Sequence, residues 1–331
     1  MLAYTMDEFN KQINKQKKGA DMRSSFGEGW LEVRPVTDRD REVVYVDWNV
    51  PMPQDPVVPK LASTVMLVRD SVPGDTKYRI DDGVFPPDFP DQQNIEVFML
   101  RRAKSMDFVP DAVVFPGGRV DPRDDNPGLP WAGPTPAEWA EKMGCSEQEA
   151  RQIVVAAVRE VFEECGVLLA GPNETTTTND LSGQEWSDAR EALVRHELSF
   201  AEFLIEMELV IRTDLIGLVS NICTPPHVSK RFDTFFFAAL LPEGQTPDDR
   251  TTEATVADWV TPAYAMREAD ADRWKIVPPT VYNLTRLAAA KSAASFVENP
   301  GPFPGKMMFF RQTVDDESFL AWYKNGKSRV D

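Results

Sequence analysis

Cysteine and histidine are scarce in this 331-residue chain: three cysteines (Cys145, Cys165, Cys223) and two histidines (His196, His227). An odd, widely spaced set of cysteines with no C-x-x-C pair argues against a disulfide scaffold and a thiolate zinc site. Two imidazoles cannot build a three-histidine metal centre within one chain. Any metal is then held largely by oxygen, which favours Mg²⁺ or Mn²⁺ over Zn²⁺. Basic residues are outnumbered too, 36 Lys and Arg against 53 Asp and Glu, for a net charge of −17. A field of that sign repels phosphate backbones and anionic lipid, so neither nucleic acid nor a membrane is an expected partner. No stretch approaches the roughly 20 apolar residues of a membrane span. The N-terminus, MLAYTMDEFNKQINKQKKG, lacks the apolar stretch of a secretory signal, and the C-terminus, KSRVD, is not an address of the S-K-L kind. The expected setting is the cytoplasm. What the chain does have is 42% hydrophobic residues, ample for a core.

Three stretches divide the chain. Residues 1–60 read as an N-terminal arm, polar at first and broken by PMPQDPVVP. Residues 61–290 read as one domain with insertions at 121–145 and 170–210, and residues 291–331 as a C-terminal extension that packs back on it. Within the domain, LASTVMLVRD, NIEVFMLRR and DAVVFPGG read as strands. PAEWAEKM reads as a short helix. Ser146 with Glu149 forms a capping box that opens the helix SEQEARQIVVAAVREVFEECG, and Gly166 is its stop. Residues 184–209 carry helical spacing. LIGLVSNICTP and KRFDTFFFAALLP read as strands, the second buried on both faces. WVTPAYAMREAD reads as a turn and a short helix, and VPPTVYNLTRLAAAKSAASF as one Pro-started helix. Strands on both sides of a long helix, with more helices after, point to an α+β fold whose mixed sheet carries helices on both faces.

The long helix carries the chemistry. Turning about 100° per residue, Glu160, Glu163 and Glu164 fall within one arc. Val154, Val155, Val158, Val161, Phe162 and Cys165 fall opposite, and Ala156 and Ala157 flank the acidic stripe and keep it open. Like charges at these spacings cost stability unless a cation sits among them. Three carboxylates on adjacent turns offer the hard oxygens that Mg²⁺ prefers, and Arg159 could brace them or reach a phosphate. From helix geometry alone, a solvated acidic face is the commoner outcome.

The context is more specific. A strand ends on Gly117–Gly118, and the helix then runs through REVFEECGV from Arg159 to Val167. Together these resemble the signature of the Nudix hydrolases. The resemblance implies an α/β/α sandwich and metal-dependent cleavage of a diphosphate linked to another moiety by attack of water on phosphorus. It implies that Glu160, Glu163 and Glu164 hold Mg²⁺ or Mn²⁺ and position the base, that Arg159 braces them, and that Gly117, Gly118 and Gly166 are structural. The sequence departs from the pattern twice. About 27 residues separate Gly118 from Ser146, and Arg151 stands where an outer glutamate is expected. The insertion, together with EVFMLRRAKSMDFVPDAVVFPGGRVDPRD and the later TPPHVSKRFDTFFFAALLP, Glu253…Trp259-x-Thr261-Pro262 and VPPT, resembles the long Nudix proteins of peroxisomes and mitochondria. Several of those hydrolyse coenzyme A and acyl-CoA, so the expected substrate is CoA or acyl-CoA. An NADH- or ADP-ribose-type pyrophosphatase and a non-catalytic nucleotide-binding or protein-interaction module stay open beside it.

The remaining candidates sit around that helix. Arg101, Arg102 and Phe108 precede the glycine turn and are candidate substrate contacts, or an ordinary charged strand edge. Glu253 could add a carboxylate from a loop. Arg231 is either a phosphate contact or half of an internal pair with Asp233, and Glu96 could face the site. His227 could touch substrate. Trp131, Trp139 and Trp186 either form a lid or give irregular loops a core. Whether the chain forms a homodimer stays open.

Overall fold

The computed structural model describes residues 55–72, 74, 77–84, 94–105, 109–225, 228–248 and 254–308, with two-residue strands at Arg34–Pro35 and Val43–Val44. Its main strands are β1 (Lys60–Asp70), β2 (Ile95–Arg102), β3 (Gly117–Arg119), β4 (Ile216–Cys223), β5 (Phe232–Leu240) and β6 (Ala254–Val260). They lie in the order β4-β5-β1-β2-β6. β5 runs parallel to β1, from Phe232 opposite Lys60 to Leu240 opposite Val68, and the other neighbours in this series are antiparallel. Lys306–Met308 extends the sheet beside β4, followed by Val43–Val44.

β1 and β2 pair only from Val68 to Asp70, then diverge. The gap is filled from the DAVVFPGG segment, expected to be one strand but found as two pieces. Val113–Val114 pairs with β2, and β3 pairs with β1, Thr64 facing Gly117. Pro116 marks the break: it has no N–H for a ladder, while its carbonyl accepts from the Val65 N–H at 2.9 Å.

The helices are α1 (Pro136–Met143), α2 (Glu147–Cys165), α3 (Gln184–Val194), α4 (Phe200–Glu206), α5 (Pro262–Asp270), α6 (Pro278–Ala288) and α7 (Ala293–Glu298). The sheet's alternation sorts them into two layers. Val65 and Leu67 of β1, Phe98 of β2 and Phe235 and Phe237 of β5 pack with α2, α1 and α4 on one face. Met66, Val68, Val97 and Phe236 pack with α5, α6 and α7 on the other. The three phenylalanines of β5 thus serve both layers, as their run predicts, and the α/β/α sandwich is the observed architecture. The single helix expected over VPPTVYNLTRLAAAKSAASF is two. Ala289 ends α6, and Ser292 starts a new helix by accepting from the Ser295 N–H. Ser292 beyond the alanines favours that local capping over one more turn.

The 121–145 and 170–210 segments build a satellite against α2. Trp131–Ala132, Val210–Arg212 and Ala170–Gly171 form a small sheet. Trp139 is buried against Phe237, and Phe203 of α4 stacks on Phe162 of α2 at 5.2 Å. Trp139 therefore serves the core, whereas Trp186 borders the cleft described below. Among the described residues, no helix is long and apolar enough to cross a membrane.

Candidate active site

α2 has the ends its sequence demands. The Ser146 side chain accepts from the Glu149 N–H, the Glu149 carboxylate accepts from the Ser146 N–H, and Gly166 closes the helix in a left-handed conformation, φ +70°. The Ser63 hydroxyl donates to the Ile153 carbonyl at 2.9 Å, pinning α2 to β1. Val154, Val155, Val158, Val161, Phe162 and Cys165 are in the core as the wheel places them. Ala156 and Ala157, expected to flank an open stripe, are fully buried. The acidic stripe faces a cleft rather than bulk solvent.

Glu160, Glu163 and Glu164 all line this cleft, together with Gly117 and Gly118. The glycines are required by proximity. A Cβ on Gly117 would sit 2.7 Å from the Thr64 Cα, and one on Gly118 would collide with the Glu160 carboxylate. The Gly117 N–H donates to Glu164 Oε2 at 2.7 Å.

Arg159 is the hub. Nε and Nη2 donate to the two oxygens of Asp124, at 3.0 and 3.2 Å, and Nη2 also donates to the Arg119 carbonyl at 2.9 Å. Nη1 meets Glu160 at 2.8 Å and Glu163 at 3.0 Å. Asp124 is a site residue that the sequence reading missed. It is buried, closes a capping box with Asp121, and forks onto Arg159. The spacing D-x-x-D in VDPRDD was the available signal for that box.

Asp124, Glu160 and Glu163 share the Arg159 guanidinium. Burial pushes all three carboxyls above the usual carboxylate range, against the pull of Arg159. By contrast, the Arg123 side chain, donating to the more exposed Asp121, holds that carboxyl down at about 2. Among the described residues, no group of three His, Cys, Asp or Glu side chains is arranged to hold a metal ion. Glu160 and Glu163 are turned onto Arg159, and Glu164 onto the Gly117 N–H. The donors nevertheless fit a hard divalent cation in kind. They are carboxylate oxygens, and three buried carboxyls share the single positive charge of Arg159.

The other sequence candidates divide. Arg102 lines the cleft, and its buried Nε has no hydrogen-bond partner. Arg101, one residue earlier, pairs instead with Asp111 at 2.9 Å. Arg231 reaches the cleft wall, but Nε and Nη1 donate to the carbonyls of Thr224 and Val57. It does not pair with Asp233, which takes Lys306 at 2.6 Å and the Asn221 amide. Glu96 is buried with Arg69 and Ser71. Arg151 pairs with Asp125 and Glu147, away from the stripe. Phe108, His227 and Glu253 lie outside the described residues.

Comparison with known proteins follows the same lines. Residues 145–287 match the family model of the NUDT19 Nudix domain. The chain is 29% identical over 236 residues to the acyl-coenzyme A diphosphatase NUDT19 of Xenopus laevis, covering 60% of this chain and 62% of that protein. It is 32% identical over 200 residues to the putative nudix hydrolase 7 of Caenorhabditis elegans, covering 59% of this chain and 56% of that protein. The chain thus spans about three fifths of the length of these curated relatives. Among solved structures, a NUDIX hydrolase from Alicyclobacillus acidocaldarius superposes with a TM-score of 0.57 at 25% identity, covering 74% of this chain and 98% of that one.

Proposed function

We infer that this chain, which belongs to the Nudix hydrolase superfamily, hydrolyses a diphosphate linkage in its α2 cleft, with CoA or an acyl-CoA as the substrate. One observation carries the reading: Glu160, Glu163 and Glu164 border a single cleft against the bare backbone of Gly117 and Gly118. The cleft holds about 2400 Å³, beyond the roughly 300–1,000 Å³ of an ordinary small-molecule site. Lys60, Arg102 and Arg119 border it, and so do Leu181, Trp186 and Val194. A long substrate with an anionic end and an uncharged arm suits such walls. The activity named for the Xenopus relative supports the same class.

Glu160, Glu163 and Glu164 would hold Mg²⁺ or Mn²⁺, which when bound neutralises phosphate oxygens and makes water a better nucleophile. The chain's own residues supply the frame. Arg159, fixed by Asp124, holds the side chains of Glu160 and Glu163 on one side of the helix. The Gly117 N–H orients Glu164. Gly118, having no side chain, leaves room for the Glu160 carboxylate beside it. Arg102 brings a guanidinium to the cleft wall, a charged donor for a phosphate or other anionic group. Hydrolysis forms one phosphorus–oxygen bond from water and breaks one bridging phosphorus–oxygen bond, and the water proton leaves to a lining carboxylate or to solvent.

The test is product analysis with Mg²⁺ against CoA, an acyl-CoA, NADH and ADP-ribose. Phosphopantetheine or its acyl form is the expected product. AMP from the dinucleotides, with CoA untouched, would replace the substrate class. Tight binding of one compound with no turnover of any would replace hydrolysis by a binding role.

A further inference from the structure

The last turn of α2 is held from outside the helix. The final carbonyls of a helix have no partner within it. Here Arg190 Nε donates to the Glu163 carbonyl at 2.9 Å, and the Asp248 N–H donates to the Cys165 carbonyl at 2.9 Å. Arg190 belongs to α3, in the satellite. Asp248 lies in the loop after β5. The two are joined by an ion pair of 2.7 Å between Nη1 and Oδ1. The same loop is fastened just beyond the helix, where the Gln245 side chain accepts from the Leu168 N–H at 2.8 Å and donates to the Leu168 carbonyl at 3.0 Å. Gly166 makes room for this arrangement. A Cβ there would lie 2.9 Å from Arg190 Nη1 and 3.3 Å from Asp248 Oδ2. The buried guanidinium also places positive charge at the negative end of the helix dipole.

We propose that Arg190, held by Asp248, is a positioning residue for the carboxylate site: it fixes Glu163 and Glu164 through their backbone, so that a helix outside the core sheet sets the geometry of the cleft wall. Glu163 is gripped twice. Its carboxylate lies on Arg159 and its carbonyl on Arg190. Glu164 follows directly and takes the Gly117 N–H. Releasing the carbonyl grip frees the turn that carries both side chains, while the Arg159–Asp124 pair one turn earlier stays in place. The inference rests on the reading of α2 as the cation-binding helix.

The experiment compares the full chain with Arg190→Met, Arg190→Lys and Asp248→Asn. Mn²⁺ is titrated and followed by electron paramagnetic resonance of the free ion, and amide exchange is measured over residues 162–168 without metal. Positioning of this kind is expected to raise the Mn²⁺ Kd of Arg190→Met by about tenfold or more, the usual effect of losing an outer support. Exchange in the last turn of α2 should quicken, and Arg190→Lys should recover part of both. A cation acting only through its charge has the opposite sign, since its removal would tighten Mn²⁺ binding. A merely structural role would lower the Tm and leave the Kd unchanged below the melt. Either of those results overturns the proposal. Should Arg190→Met not fold, Arg190→Lys and Asp248→Asn carry the same readouts. A wild-type chain that binds no Mn²⁺ refutes the cation-binding reading itself, and unchanged exchange in the variants then overturns the clamp on its own terms.

Discussion

Replacing Arg159 by methionine removes the one group that Asp124, Glu160 and Glu163 share. The Arg159 side chain is 9% exposed and Asp124 2%, so neither can turn to water without rearrangement. Methionine fills similar volume, and the change is therefore electrostatic rather than a cavity. Breaking a buried pair by deleting one partner costs about 3–5 kcal/mol, because the charge left behind is uncompensated. For a domain of roughly 250 residues, each kcal/mol moves the Tm by about 2–4 °C, so the expected fall is about 6–20 °C at neutral pH without metal. The pH dependence has a definite sign. Native carboxyls whose pKa lies above the unfolded value bind their protons more tightly when folded. Stability is then lost as pH rises from about 4.3, the unfolded value of a glutamate, through the raised native value. Burial already raises Asp124, Glu160 and Glu163 in the wild type, and removing Arg159 takes away the opposing pull. Lowering the pH from 7 toward 5 should therefore recover more of the Tm in the variant than in the wild type. Thermal unfolding by circular dichroism at several pH values, without metal, measures both quantities. A loss under about 2 °C that does not vary with pH would refute the assignment of Arg159 as the counter-charge of this site.

Gly118→Ala places a methyl group against the Glu160 carboxylate. It should cost about 1–3 kcal/mol of stability by overpacking and lower turnover by about a hundredfold through the displaced carboxylate; kinetics beside a urea melt separate the two. Burial pushes the Cys145 and Cys223 thiols up to about 11 and Cys165 well above its usual range. At pH 8 a thiol of pKa 11 is about one part in a thousand thiolate, against roughly a quarter for an unperturbed cysteine. Iodoacetamide should therefore label the native chain at least about a hundredfold more slowly than the urea-unfolded chain, and fast labelling of Cys223 in the native chain would contradict its burial. Asp121→Ala removes a cap from the Pro122–Asp124 turn as well as the Arg123 pair. It should cost about 1 kcal/mol, most of it from the cap, since the pair is half exposed.

The long helix and its ends were legible because everything that makes them is local: Ser146, Glu149, Gly166 and the spacing between them. The acidic stripe was legible for the same reason. β1, β2, β4 and β5 followed from their apolar runs, with the three phenylalanines of β5 divided between the two layers, whereas β6 did not: its Trp259–Val260 end reads as a turn in the sequence. What failed to show was long-range. Asp124 reaches Arg159 across 35 positions, and Asp248 reaches Arg190 across 58. No periodicity links such partners. Arg101 and Arg102 illustrate a milder limit. Alternation puts adjacent strand residues on opposite faces, so only one could meet the cleft, but the sequence does not say which. The structure gives that place to Arg102. Arg231 shows that a well-placed arginine can be spoken for by backbone carbonyls and a neighbouring thiol.

In the proposed function, Glu160, Glu163 and Glu164 make a divalent-cation site for diphosphate hydrolysis. The most direct measurement is phosphopantetheine release from CoA by the wild type, Glu163→Gln and Glu164→Gln, each with Mg²⁺, with Mn²⁺ and with a chelator. The wild type is expected to turn over only with a divalent cation, and each variant should fall by about a hundredfold or more with its circular dichroism spectrum unchanged. Turnover that survives chelation, or variants as active as the wild type, would rule out a cation site at these glutamates.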